Sequence, residues 1–302
     1  MLKNLVTRCL VPPAVFACGT VVATLLQPRI QRALLLMIAS LHRLALRHRW
    51  TRSLDRKCVT AVKRALNIPD AYIEMAKIFR RTPGAVVLDI GSHRGETVLK
   101  MLDYMPKATI HAFEPTPATA AELYRRLKGC PNVRVHEIAL CDRTGRIRLQ
   151  CNANEQTNTV LRNAALPALE SYFGLRSVGE VEVRAETLDD WIAREHINGP
   201  LIVKADIQGA ERLLIKGGGR AFAQQVISFY SEISILPQYE GQAEFCEIQN
   251  ILAREYGFAL VDIFPCGRDG LGRATFTDAF WVKTDLLEAM ARQGFRDLLT
   301  YP

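Results

Sequence analysis

A doubly wound α/β fold is what this 302-residue sequence predicts, and three observations predict it. Residues 85–115 read as strand, glycine turn, helix, strand, with an acid at the tip of each strand. Short apolar runs then alternate with helix-patterned stretches as far as Tyr256, the rhythm of parallel strands joined by crossover helices. Two last runs, Phe258–Phe264 and Asp278–Lys283, flank the turn Cys266–Gly272, so the sheet should close in an antiparallel hairpin. Together the runs make seven strands, preceded by a helical extension.

Residues 1–50 differ from the rest. Twenty uncharged residues separate Arg8 from Arg29, a second apolar patch covers Ala33–Leu41, and a basic run follows from His42 to Lys57. About 20 apolar residues are needed to cross a bilayer. Pro12 and Pro13 sit where a first helical turn tolerates proline, and a helix from Pro13 to Gln27 is short for a full span. The expectation is a membrane-anchoring or interfacial segment, giving membrane contact through residues 1–50. A hydrophobic helix packed on the domain and a cleaved targeting peptide are the alternatives. As an anchor, its basic C-terminal flank puts the domain in the cytosol. Residues 51–84 carry Leu54, Val59, Val62, Leu66, Ile73, Ala76 and Phe79 at helical spacing, so a helical cover is expected before Pro83-Gly84 turns into the first strand.

The domain proper is expected over residues 85–302. Its first strand, Ala85–Leu88, stops at Asp89; a helix runs from Gly95 to Tyr104; the second strand, Thr109–Phe113, ends at Glu114. Pro117–Lys128 sets Ala120, Leu123 and Leu127 on one helical face, and Gly129 ends it. Val133–Leu140 is the third strand, Asp142–Gly145 a turn, and Arg146–Cys151 an edge or hairpin strand. Residues 152–180 are polar and irregular, long enough to predict a functional loop over the site. Val181–Ala185 alternates again, and Thr187 caps a helix, Leu188–His196, with Asp189 and Asp190 in its first turn. Leu201–Ala205 is the fourth parallel strand, ending at Asp206. Gln208–Glu211 opens a helix that Gly217–Gly219 ends. Val226–Ser231 is the fifth strand, ending at Glu232, and Ala243–Tyr256 is a helix.

Charge and cysteines narrow the partners. Residues 1–64 hold 12 Lys/Arg and one acid, a balance of +11, which leaves 27 basic and 30 acidic residues, or −3, for the remainder. The domain is thus slightly acidic and carries no footprint for a phosphate backbone, so no nucleic-acid partner is expected. Eight scattered cysteines form no C-x-x-C pair, which argues against a zinc site or a disulfide framework and for a reducing compartment.

The first turn carries Asp89-x-Gly91-x-x-x-Gly95. A dinucleotide site needs G-x-G-x-x-G, so that a pyrophosphate can rest on the helix N-terminus; here one glycine is missing. The spacing matches instead the first motif of S-adenosylmethionine (SAM) methyltransferases, whose ligand is cationic at sulfur and carries no phosphate. Glu114 at the second strand tip suits a ribose, whose two hydroxyls can donate to one carboxylate. The expected cofactor contacts are Asp89, Gly91, Ser92, Gly95 and Glu114, with Asp142 on the adenine side. Another nucleotide, or a glycine turn with no ligand, are the competing readings.

DIGSHRGET, HAFEPTPATAAEL, ALCDRTGRI, ETLDDWI, LIVKADIQGAERLLIKGG and FYSEIS follow one another in that order. Residues 82–284 thereby resemble the FkbM family of SAM-dependent methyltransferases, most specifically in K-x-D-x-Q-G-A-E. Where that family commonly has Ala-Asn after the first glycine, Ser92-His93 stands here. The resemblance implies a Rossmann-like seven-stranded sheet, SAM as cofactor, and O-methylation of a hydroxyl on a sugar, glycan or small-molecule acceptor. A catalytically inactive SAM-fold interaction module, or a methyltransferase of protein or RNA, are the alternatives. The absence of Asn/Asp-Pro-Pro-Tyr/Phe after the fourth strand disfavours methylation of a planar amine.

Ligands in such sheets sit beyond the strand C-termini at the switch point, which makes Asp206 the expected base for a neutral alcohol. Lys204, two residues earlier, is placed to pair with it. Glu211 and Glu232 stand nearby as further catalytic candidates, with helix-terminus stabilisation and an arginine pair as their structural alternatives. Three acids at adjacent tips have the donors of a divalent-cation site, but no metal is assigned. His93 faces the site from the glycine loop.

Overall fold

The structure is a computed structural model that describes residues 70–164 and 173–292. The chain divides into two units, Met1–Asp70 and Ala71–Pro302, and all described residues except Asp70 belong to the second. The anchor expected at 1–50 and the first part of the helical cover lie outside the described residues. Among those described, no helix is long and apolar enough to cross a membrane.

The strands are β1 (Val86–Ile90), β2 (Thr109–Phe113), β3 (Val133–His136), β4 (Ala139–Leu140), β5 (Gly145–Asn152), β6 (Ser177–Glu186), β7 (Leu201–Ala205), β8 (Val226–Ser234), β9 (Phe258–Ile263), β10 (Gly267–Arg268) and β11 (Ala274–Lys283). The helices are α1 (Ala71–Arg81), α2 (Glu96–Tyr104), α3 (Pro117–Leu127), α4 (Leu188–Glu195), α5 (Glu211–Gly217), α6 (Gly219–Gln224), α7 (Phe245–Asn250) and α8 (Thr284–Arg292). The main sheet has the order β10-β11-β8-β7-β1-β2-β3, with β9 paired to β11. From β3 to β8 neighbours are parallel. β11 is antiparallel to β8, β9 and β10. The seven expected strands are all there, and the two-residue β10 adds an eighth.

The central strands are apolar on both faces, as helices on both sides require. Successive residues of β1 point to opposite layers: Val87 belongs to the core that holds Met75, Met101 and Leu123 of α1, α2 and α3, and Leu88 to the core that holds Trp191, Leu214 and Phe222 of α4, α5 and α6. Chain order reverses between β1 and β7, which opens a crevice at their C-terminal ends.

Three boundaries differ from the sequence reading. The run Val133–Leu140 is two strands, because β4 leaves the main sheet and pairs with β6 in a second, three-stranded sheet, β4-β6-β5. The apolar positions change phase there, from Val133 and Val135 to Ile138 and Leu140, and a strand whose alternation slips by one residue must turn its other face inward. The stretch read as a loop over 152–180 is shorter, since β5 reaches Asn152 and β6 starts at Ser177. The helix expected over 243–256 is α7 followed by a wide π segment, Ile251–Glu255.

Candidate active site

The crevice is a cavity of about 400 Å³. Its floor begins at the glycine turn. Gly91 adopts φ +81°, and a Cβ there would lie 1.9 Å from the Asp206 carbonyl oxygen, so only glycine lets the tips of β1 and β7 meet. The N–H groups of Gly91 and Ser92 both donate to the Phe113 carbonyl, at 3.0 and 2.9 Å, which fastens the turn to β2. Ser92 Oγ donates to the Asp89 carbonyl at 2.7 Å. His93 follows at φ +46°, and its main-chain N–H donates to Glu114 Oε2 at 3.1 Å.

Glu114 is buried and also accepts from the Thr116 N–H at 2.9 Å. Burial pushes its carboxyl up, against those two main-chain donors. Each oxygen keeps a lone pair for a ligand. Beyond it the wall turns apolar with Phe113, Ile138 and Leu140.

The opposite wall comes from β7 and β8. In the parallel register Asp89 lies beside Lys204; Lys204 Nζ is 3.3 Å from Asp89 Oδ1 and 3.6 Å from Asp206 Oδ2. Burial opposes its charge, but Asp89 and Asp206 hold the ammonium above the ordinary lysine range. Thr97 Oγ1 donates to the other Asp89 oxygen at 2.5 Å. Asp206 is half-exposed to the cavity and accepts from Gln208 Nε2 at 2.8 Å. Glu232 lies inside β8, directly across from Asp278 on β11. Burial first, then Asp206, Asp278 and Glu211, push Glu232 up to about 9. Glu211 is buried with one carboxylate oxygen unpartnered, and burial, then Asp206, push it up to about 7.

A polar lid closes the top. Asn154 accepts from the Gln156 N–H at 3.2 Å and opens the 3-10 turn Glu155–Thr157. Glu155 is 2.5 Å from Arg94 and 3.4 Å from His93. Thr159 Oγ1 donates to the Gln208 carbonyl at 2.8 Å. The lid thus grips the glycine turn at one end and the β7 tip at the other.

Of the residues expected from sequence, Gly91, Ser92, Glu114, Asp206 and Glu232 line the cavity, as does His93. Asp89, Gly95, Glu211 and Asp142 are not among its lining residues. Asp89 is committed to Lys204 and Thr97. Gly95, at φ +85°, packs on Leu123. Asp142 pairs with Lys216 and Arg143, both at 3.1 Å. Gln208, Gln238, Glu155 and Asn158 line the site without having been singled out. Gln208 carries the Q of K-x-D-x-Q-G-A-E, Glu155 and Asn158 fall in the polar segment expected over the site, and Gln238 has no local signal. Among the described residues no group of three or more His, Cys, Asp or Glu is arranged to hold a metal.

The cavity's charge decides which ligands fit. Five acids line it, Glu96, Glu114, Glu155, Asp206 and Glu232, and among the described residues no lysine or arginine does. Phosphate sites are built from Arg, Lys and free main-chain N–H groups, and here the Gly91 and Ser92 N–H groups are already spent. A sulfonium with an adjacent ammonium meets acidic side chains and no competing cation among the described lining residues, and a ribose diol finds Glu114. These residues fit SAM and oppose a pyrophosphate.

The raised carboxyls also set a pH dependence. An unfolded glutamate releases its proton near its ordinary value of 4.5, whereas folded Glu211 and Glu232 keep theirs to about 7 and about 9. Across that window the folded state binds more protons, so stability falls as pH rises, by up to about 1.4 kcal/mol per unit for each fully retained proton. Urea unfolding should show the domain most stable near the acid edge of the window, and Glu232→Gln should flatten the alkaline part of the slope. A wild-type stability that climbs over the same range contradicts this account.

Residues 89–260 match the family profile for the methyltransferase FkbM domain. The chain is 31% identical over 193 residues to the 2-O-methyltransferase NoeI of Sinorhizobium fredii, a match spanning 62% of this chain and 78% of that protein. Among solved structures, an rRNA methylase from Streptococcus thermophilus aligns with a TM-score of 0.40 at 7% identity, over 70% of this chain and 93% of that one. The precorrin-6y C5,15-methyltransferase of Geobacter metallireducens aligns with a TM-score of 0.39 at 14% identity, over 70% and 87%. The cavity lies within the matched span, and the chain belongs to the FkbM methyltransferase family.

Proposed function

We propose that the protein is a SAM-dependent O-methyltransferase acting on a hydroxyl of a sugar, glycan or small metabolite. The observation that carries the cofactor half is the cavity itself, lined by five acids and, among the described residues, by no lysine or arginine, with Glu114 at the β2 tip. O-methylation is supported by the name of the relative, a 2-O-methyltransferase, and by the amides of the lid, which suit a neutral, hydroxyl-bearing acceptor. When bound, SAM supplies the methyl group as an electrophile and leaves as the neutral thioether. Glu114 orients the ribose, and the lid excludes water. Asp206 stands at the strand tip to accept the hydroxyl proton. Holding the two partners in line is worth roughly 7–11 kcal/mol of barrier in favourable cases.

Titration calorimetry of the full-length chain tests the cofactor half. SAM should bind and NAD should not. Glu114→Gln, which keeps one acceptor oxygen, should weaken SAM binding about tenfold or more, the worth of a hydrogen bond to a charged group. Binding of NAD without SAM would overturn the reading. For the acceptor, glycan and metabolite profiling of a deletion strain should reveal species lacking one methyl group. Loss confined to protein or RNA methylation would refute the hydroxyl-acceptor half.

A further inference from the structure

We propose that Gln208 is a positioning residue: its side-chain amide, held in one orientation by Tyr239, bridges Asp206 and Glu232 and assigns the two acids different roles toward the acceptor hydroxyl. The proposal rests on the methyl-transfer reading of the cavity and adds the device that decides where the proton goes.

The bridge is built into the backbone. Gln208 has φ +55°, a left-handed conformation uncommon for a non-glycine residue. Its carbonyl is held by Thr159 Oγ1 at 2.8 Å. Gly209 follows at φ +89°, and a Cβ on it would lie 2.9 Å from Tyr239 Cδ2 and 3.1 Å from Gln242 Cβ. The tyrosine ring therefore packs directly on this turn, and its position is fixed relative to Gln208.

An amide has a donor end and an acceptor end. Tyr239 is buried, and burial raises its phenol, so the hydroxyl stays a donor. It donates to Gln208 Oε1 at 2.8 Å, in preference to the Thr157 carbonyl at 3.3 Å. That leaves Nε2 to face both acids, 2.8 Å from Asp206 Oδ1 and 3.5 Å from Glu232 Oε1. The reversed amide would set a carbonyl oxygen 2.8 Å from Asp206 Oδ1, acceptor against acceptor.

The two acids are not equivalent. Asp206 has the short Gln208 contact and the Lys204 ammonium at 3.6 Å. Glu232 has only the long contact. It faces Asp206 from the β7 tip, Asp278 from β11 and Glu211 from α5, with the Lys204 cation and Tyr239 nearby. Glu232 keeps the proton, and Asp206 is left as the acceptor of the hydroxyl proton.

Infrared titration of the full-length protein tests this without a known acceptor. In the wild type at about pH 8, above the value of Glu211 and below that of Glu232, a protonated-carboxyl C=O band component should be lost in Glu232→Gln and kept in Asp206→Asn. Tyr239→Phe frees the amide to turn. Gln208→Asn keeps an amide on a residue tolerant of left-handed φ but is one methylene too short to span the pair. In either background the band should broaden or split, because the amide no longer presents one fixed donor to the pair. A band of unchanged position and width in all three backgrounds would overturn the proposal, as would a wild-type band lost in Asp206→Asn. SAM calorimetry on the same proteins separates the two ideas. Unchanged SAM affinity beside an unchanged infrared pattern defeats the bridge alone, whereas a wild type that binds no SAM defeats the cofactor reading.

Discussion

Lys204→Met is expected to cost about 3–5 kcal/mol of unfolding free energy, the penalty for breaking a buried ion pair from one side. Lys204 is 3% exposed and Asp89 fully buried. The ammonium acts on a row of acids that runs across the strand tips through Asp89, Asp206 and Glu232. Methionine fills the volume but leaves Asp89 with a single hydrogen bond, from Thr97. Removing the charge on both sides should be much milder, because a neutral pair of similar shape leaves no uncompensated ion. The double variant Lys204→Met/Asp89→Asn should therefore recover at least half of the loss in urea unfolding. A single variant within about 1 kcal/mol of wild type, the scale of an exposed pair, would mean that the row is solvated and the ion pair is not structural.

The same row shows how far the sequence could be read. That Lys204 and Asp206 share a face followed from their spacing of two on a strand. That Asp89 joins them did not, because it depends on β1 and β7 being neighbours in register, and strand order is not written in local pattern. Glu232 read as a strand end because Glu stops an apolar run. The strand continues to Ser234 because β11 pairs with it across that acid, placing Asp278 opposite, and no residue near 232 signals a partner almost fifty positions later. Gly91 and Glu114 were legible for the opposite reason. A left-handed turn and an acid after an apolar run are local demands, each met within a few residues. Gln208 lay within a recognised motif, but its role depends on Tyr239, which arrives from the loop after β8 with nothing in Leu236-Pro237-Gln238-Tyr239 to announce it.

Gly91→Ala should abolish SAM binding and cost more than about 4 kcal/mol, the range reserved for substitutions that a fold cannot absorb. Two penalties act together. The residue sits at φ +81°, where an L side chain costs roughly 1–2 kcal/mol. The new Cβ would also lie 1.9 Å from the Asp206 carbonyl oxygen and 2.9 Å from its carbon. Neither atom can swing away as a side-chain end would, because the Asp206 N–H is bonded to the Ile90 carbonyl at 2.9 Å and ties the two strand tips together at that point. Separating them moves Asp206 and the glycine turn apart, and those are the two halves of the cavity. Gly95→Ala is the control. Its φ of +85° carries the same backbone cost, but its Cβ would meet Leu123 Cδ1 at 2.8 Å, the far end of a flexible side chain. It should lose roughly 1–2 kcal/mol and keep most of its SAM affinity. Urea unfolding and SAM calorimetry on the pair decide the matter. If Gly95→Ala proves the worse of the two, or Gly91→Ala still binds SAM at wild-type strength, then the close approach of β1 and β7 is not what shapes the site.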